Sequence, residues 1–264
     1  MKNKLFIIVL LGILIMGCAP EKTAKAINNP HKMKTNAILT IVYDNTAYDK
    51  KLSSGWGFGC VVQTDKNKIL FDTGGDSQTL LSNMQKMGID PKKIDTVVLS
   101  HIHGDHTGGL GGFLEKNNNV KVYVPKSFPA SFKAGVKDAG AQLSEISGPA
   151  KIADSIYSTG EMGTSIKEQG LIIDTNKGIV LVTGCAHPGI ADMVKAAKEQ
   201  LKKNIYLVIG GFHHPPLSVV QEFRKIEVEK ACPCHCTGES AIKAFEQEYK
   251  KDYIQGGAGR IIQI

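Results

Sequence analysis

The stretch "SHIHGDHTGG", Ser100 to Gly109, holds three of the chain's eight histidines and an aspartate within six positions. It overlaps the end of "IDTVVLS", a β-branched run of the length of a buried strand, so His101 is expected at a strand's C-terminal end. Side chains at i and i+2 of an extended segment point the same way, which lets His101 and His103 grip one ion. Gly104 permits a sharp bend, which would turn Asp105 and His106 toward a second ion. Neutral imidazoles and a carboxylate are ligands that zinc uses in catalytic sites. The competing reading is an ordinary polar loop. Four such groups converging behind one strand argue for metal instead.

Outward from this stretch the pattern alternates. "AILTIVYD", "GFGCVVQT" and "KILFDTGG" read as strands, the last ending on Asp72. "SQTLLSNMQKMG" has helical spacing and a stop at Gly88. "TGGLGGFLEK" starts a helix, "VKVYVP" is a strand, and a less regular middle follows. "GLIIDT" and "GIVLVTG" are strands joined by the hairpin signal Asn176-Lys177-Gly178. "IADMVKAAKEQLKK", "SVVQEFRKIE" and "AIKAFEQEY" read as helices, the second with Ser218 and Gln221 in capping-box positions. "NIYLVIGG" is a further buried strand. Helices and strands alternate but hairpins recur, so mixed sheets are expected.

His101-x-His103-x-Asp105-His106, with the Asp72 strand upstream, resembles the signature of the metallo-β-lactamase-fold superfamily, over nearly the whole domain. The resemblance implies an α/β fold, a four-layer αββα sandwich of two mixed β-sheets. "TGCAHPGI", "IGGFHH" and "HCTG" are similar to a narrower group of metal-dependent hydrolases. That group is also labelled as a synthase of a methanopterin precursor, 7,8-dihydropterin-6-yl-methyl-4-(β-D-ribofuranosyl)aminobenzene 5'-phosphate synthase. By this resemblance Asp72 orients the metal loop without ligating, and His235 completes the second ion's ligands. His187, after the strand "IVLVT", is the choice for the first ion's third ligand. A bridging aspartate is expected after the hairpin strand, and Cys185 stands there instead; a thiolate can ligate zinc. A rival register puts the third-ligand position near Glu161, so that Glu161 or Glu168 ligates and His187 is an extra group.

These residues imply one or two divalent ions, zinc, manganese or iron. The leading reading is hydrolysis of an ester, lactone or phosphoester-type small molecule by a metal-activated water. Asp105 would orient that water and help move a proton, and His213 would stabilise the developing oxyanion or protonate the leaving group. A transferase like the precursor synthase is the second reading. A non-catalytic surface metal-binding or redox protein, suggested by "CPCHC" (Cys232–Cys236), is the third.

The N-terminal "MKNKLFIIVLLGILIMGC" has a charged start and an apolar run too short to span a bilayer, and resembles a signal peptide ending in a bacterial lipoprotein processing site. Residues 1–17 are expected to be removed, and Cys18 to carry lipid to a membrane. Residues 18–35, polar and lysine-rich, read as a tether, and 36–264 as one catalytic domain. The net charge is +7, and removing Lys2 and Lys4 leaves +5 (7 − 2), spread along the chain. The interleaved basic and aromatic residues of a nucleic-acid platform are absent, so no nucleic acid is expected. Of the six cysteines, five remain after Cys18, an odd number, so at least one lacks an intrachain partner.

Overall fold

The strands fall into two sheets because their buried faces alternate toward two different cores. In this computed structural model, which describes residue 1 and residues 35–264, the first sheet contains β1 (Ala37–Tyr43), β2 (Gly59–Thr64), β3 (Lys68–Phe71), β4 (Thr96–Val98), β5 (Lys121–Pro125) and β6 (Gln142–Ile146). The second contains β7 (Ala150–Ala153), β8 (Ile156–Ser158), β9 (Leu171–Asp174), β10 (Ile179–Thr183), β11 (Ile205–Gly211) and β12 (Lys230–Cys234). The chain returns with β13 (Ile261–Gln263) to pair with β1, giving the orders β13-β1-β2-β3-β4-β5-β6 and β12-β11-β10-β9-β8-β7. Both sheets are mixed: β3 to β6 run parallel beside antiparallel β1 to β3, and β10 to β12 run parallel beside antiparallel β7 to β10.

The helices are α1 (Ser77–Lys86), α2 (Gly104–Thr107), α3 (Leu110–Lys116), α4 (Ala130–Asp138), α5 (Ile190–Leu201), α6 (Val219–Ile226) and α7 (Glu239–Tyr249). Three apolar clusters define the layers. Cys60 and Val62 face the inter-sheet core with Val180 and Val182. Val61, between them, faces outward to Leu80, Phe113 and Val136 on α1, α3 and α4. Ile179 and Leu181 face Val194, Phe223 and Phe245 on α5, α6 and α7. This period-two alternation builds the expected αββα sandwich.

Several local expectations change. The "HIHGDH" segment is not a plain loop, because Gly104–Thr107 forms a helical turn. The irregular middle contains α4, and "CPC" is the end of strand β12. No capping box forms at α6. Ser218 is already helical (φ −58°, ψ −22°) without a side-chain cap bond, and Gln221 donates to Glu248 instead. The hairpin at Asn176–Gly178 forms as expected, with Thr175 bonded to Gly178. The signal peptide, the Cys18 lipid site and residues 18–34 of the tether lie outside the described residues. Among the described residues no helix is long and apolar enough to cross a membrane.

Candidate metal centre

Apart from Glu161 and Glu168, the side chains chosen as site residues follow the C-terminal ends of strands. Asp72 follows β3, His101 to His106 follow β4, Cys185 and His187 follow β10, His213 follows β11, and His235 follows β12. The parallel pairing of β3 with β4, and of β10 with β11 and β12, brings these ends to one edge of the sandwich. Gln169 fastens the two sheets there: it is buried, and its backbone and side-chain N–H groups donate to the carbonyls of Ser100 and Leu99, each at 2.9 Å.

Two sets of donor atoms result. His101, His103 and His187 place one atom each within 4.8 Å of one another. His101 Nε2 and His103 Nδ1 are 3.1 Å apart, and the His187 ring lies 4.7 Å from that of His101 and 4.9 Å from that of His103. Asp105, His106, Cys185 and His235 form the second set within the same limit. His106 Nε2 sits 3.2 Å from Cys185 Sγ, and His235 Nε2 sits 3.2 Å from Asp105 Oδ2. Cys185, His187 and the more exposed His213 also converge.

The surrounding bonds hold His101 and His106 by Nδ1 and turn Nε2 of each toward its own donor set. Asp72 Oδ1 accepts from Ser100 N at 2.7 Å, and Oδ2 accepts from Ser100 Oγ at 2.7 Å. The same Oδ2 lies 2.8 Å from His106 Nδ1, and Ser100 Oγ lies 2.9 Å from His101 Nδ1. Ser100 spends its hydroxyl proton on Asp72, so it accepts from His101 Nδ1–H and leaves His101 Nε2 as a lone pair. Burial and the neighbouring imidazoles of His106, His187, His103 and His235 drive the His101 pKa far down, which keeps it neutral. Burial, with His213, His103 and His106, lowers His187 to about 4. Burial also pulls on His106, but the Asp72 carboxylate and its hydrogen bond outweigh it and raise the pKa. His235 Nδ1 lies 2.8 Å from Asn45 Oδ1, which turns its Nε2 toward the second set.

Two buried nitrogens test whether an ion fits. His187 Nε2 is buried without a hydrogen-bond partner, and His235 Nε2, buried in the other set, has only the Asp105 carboxylate beside it, 3.2 Å away. Leaving such an atom unsatisfied costs about 1–3 kcal/mol. Imidazole, carboxylate and thiol groups are the donors of a zinc-type cation, so these residues fit a divalent ion.

The alternative ligands are occupied elsewhere. Glu168, fully buried, accepts at Oε1 from the backbone N–H of Gly184, Cys185 and Ala186 at 3.1, 3.0 and 2.8 Å, and at Oε2 from His187 N at 2.9 Å. It holds the loop that carries Cys185 and His187. Burial raises its pKa against the pull of these donors. Glu161 Oε1 accepts from Ser127 N, away from both sets. His187 therefore stands with His101 and His103, and Cys185 with Asp105, His106 and His235. Five of the nine non-glycine residues with positive φ among those described are here: Asp72, Ala186, His213, His214 and His235. Such strain, about 1–3 kcal/mol per residue, gathers at functional sites.

All five described cysteines are free and buried. Cys232 and Cys234 pack into the inter-sheet core. Cys236 Sγ lies 3.3 Å from Cys185 Sγ. Sequence reasoning missed Asn45 and Gln169, whose polar contacts join segments far apart in the chain.

Residues 60–201 match the family described as the metallo-beta-lactamase superfamily. The chain is 30% identical over 291 residues to the 7,8-dihydropterin-6-methyl-4-(beta-D-ribofuranosyl)-aminobenzene-5'-phosphate synthase of Methanocaldococcus jannaschii, covering 89% of this chain and 99% of that one. It is 31% identical over 263 residues to the uncharacterized protein MJ0448 of the same organism, covering 86% and 100%. The crystal structure of Tm1679, described as a metal-dependent hydrolase of the beta-lactamase superfamily, matches with a TM-score of 0.71 at 25% identity, covering 86% and 99%.

Proposed function

The chain belongs to the metallo-beta-lactamase superfamily, and from that premise we propose that it is a metal-dependent hydrolase of an ester, lactone or phosphoester-type small molecule. The observation that supports this reading is the pair of adjoining donor sets, one with the buried, unpartnered His187 Nε2 and the other with His235 Nε2 turned to the Asp105 carboxylate. Divalent ions held by His101, His103 and His187, and by Asp105, His106, Cys185 and His235, would supply a water acidic enough to ionise near neutral pH and would polarise the substrate oxygen.

The protein's own part is positional and electrostatic. Burial raises the Asp105 pKa, but His235 and His106 outweigh it and hold the group at about 2. Asp105 is therefore ionised at neutral pH and can accept a hydrogen bond from the attacking water, fixing its orientation. His213 stands with its ring 4.2 Å from that of His187. Burial, His214 and His103 lower its pKa, which favours the neutral ring. A neutral ring N–H suits stabilising a developing oxyanion better than delivering a proton to a leaving group. A cavity of about 270 Å³ opens beside these rings, lined by Ile190, Phe212 and Val219 among others, with room for a small substrate.

Metal analysis combined with an ester, lactone and phosphoester panel tests the reading. Turnover of at least one class that disappears on chelation and returns with zinc, manganese or iron is expected. A metal-loaded protein inert across the panel defeats it.

The near-full-length identity to the synthase supports a second reading, transfer chemistry joining a pterin to a ribofuranosylaminobenzene phosphate. Formation of that product from the two halves by the purified protein would favour it. The leader in the sequence weighs against it, because phosphoribosylated substrates belong in the cytoplasm, and it supports anchoring outside the cytoplasm through lipidated Cys18. Loss of lipid labelling in Cys18→Ser tests the anchor.

A further inference from the structure

The aromatic rings of the site form a continuous series. From His213 the ring centroids step 4.2 Å to His187, 4.7 Å to His101, 4.2 Å to His106, 4.9 Å to His235 and 5.0 Å to Trp56. The inner four rings belong to the two donor sets. The two ends of the series, His213 and Trp56, are exposed, and Trp56 is the chain's one tryptophan. Its accessibility is 60%, so a large part of the ring is open to solvent while it meets His235 at an interplanar angle of 60°.

A single exposed apolar side chain is ordinary on a protein surface. This one is held in an unusual way. Asn45 Oδ1 accepts from Gly57 N at 3.0 Å and lies 2.8 Å from His235 Nδ1. Asn45 Nδ2 in turn donates to His235 O at 3.0 Å. One amide therefore fixes both the backbone next to Trp56 and the imidazole that Trp56 touches. Gly55 N donates to Asp44 O, and Phe58 N donates to Asp105 O. Gly57 has φ +144°, and a Cβ there would come 2.3 Å from Asp105 O. The loop thus packs its backbone against the metal-loop backbone and leaves its largest side chain uncovered. A rigid ring with an open face beside a reactive centre is suited to stacking.

We propose that Trp56 is a specificity-determining residue that stacks on a planar aromatic or heteroaromatic ring of the substrate. The inference rests on the reading of this centre as a metal-dependent site for small molecules. It deepens that reading by naming a substrate class: a compact molecule with a flat ring next to the group that reacts over the donor sets.

The test uses the zinc-loaded full-length protein and two probes, phenylphosphonate and cyclohexylphosphonate, which share a headgroup and differ in the flatness of the ring. Emission from Trp56 should change saturably with phenylphosphonate, and the wild type should bind it more tightly than the cyclohexyl probe. By calorimetry, Trp56→Ala should weaken phenylphosphonate about tenfold while leaving cyclohexylphosphonate unmoved, and Trp56→Phe should stay within about threefold of wild type. Trp56→Leu, which keeps apolar volume without a π face, provides the same contrast if the alanine variant loses its metal. A purely structural role would not distinguish the flat ring from the puckered one. Equal affinity for the two probes in the wild type overturns the proposal. So does phenylphosphonate binding that is absent, or that is unchanged in both the alanine and leucine variants. Neither probe is a phosphoester, so failure of the substrate panel would sink the hydrolase reading while the stacking result stood.

Discussion

Glu168→Ala would strip the acceptor from four buried backbone donors at once. The N–H groups of Gly184, Cys185, Ala186 and His187 point at its two oxygens, at 2.8 to 3.1 Å, in a fully buried position. An unsatisfied buried donor costs about 1–3 kcal/mol, so even the lower limit for all four gives about 4 kcal/mol. Against a total stability of about 5–15 kcal/mol for an ordinary domain, that leaves a marginal fold. Glu168→Gln is a graded control. Its carbonyl oxygen can keep the three donors now at Oε1, and its NH₂ group would face His187 N, so about 1–3 kcal/mol should be lost. Urea unfolding of the chelated protein measures the stability, and competition with a chromogenic chelator measures zinc affinity. Stability and affinity should both fall in the order wild type, glutamine, alanine, because the clamped loop serves both donor sets. An alanine variant within about 1 kcal/mol of wild type, with unchanged zinc affinity, would refute the reasoning.

Further outcomes follow from other contacts. Asp72→Asn weakens the support of His106 and Ser100 and should lower metal affinity about 10–100-fold by chelator competition. Metal stoichiometry by mass spectrometry should separate the donor sets: His101→Ala or His187→Ala should cost the first ion and activity, and His235→Ala chiefly the second. Cys185→Asp, which substitutes a carboxylate for a thiol, should hold or raise the metal content. Asp44 is pushed by burial from 3.8 to about 6. In the metal-free protein the native state keeps this proton where the unfolded chain has lost it. Stability should therefore fall as pH rises from about 4 to about 6, by about 3 kcal/mol in total. Asp44→Asn should flatten that slope in urea titrations across this range.

The layers were legible because a strand covered on both faces shows itself locally: "GCVVQT" and "IVLVT" are short apolar runs whose apolar residues are all buried. The convergence of His101 and His103 was legible for the same reason, a fixed direction along one extended segment. Cys185 and His187 were harder, because their facing depends on Ala186 with φ +63° and on Glu168, sixteen and more positions upstream in the chain. Asn45 was invisible. Its contacts with His235 span 190 residues, and nothing in "YDNTAYD" marks it. The misplaced capping box at Ser218 shows the opposite error. A motif match fixes residue types, but the entering backbone was already helical and left the side chain no donor to cap.

Each donor set draws on both sheets: His101 and His103 reach His187 across the layers, and Asp105 and His106 reach Cys185 and His235. In polymer terms an ion bound there is a cross-link between distant points of the chain, and one that can be unfastened. Unlike a covalent bridge it does not persist in the unfolded chain, so its stabilisation grows with the logarithm of free metal rather than from loop closure. The seam between the sheets should thus be the part of the molecule whose opening depends most on metal supply. Metal starvation should loosen that seam while the helices covering each outer face stay packed. Hydrogen exchange would register this as early loss of protection at Gln169 and the Cys185–His187 loop, ahead of β2 and β10.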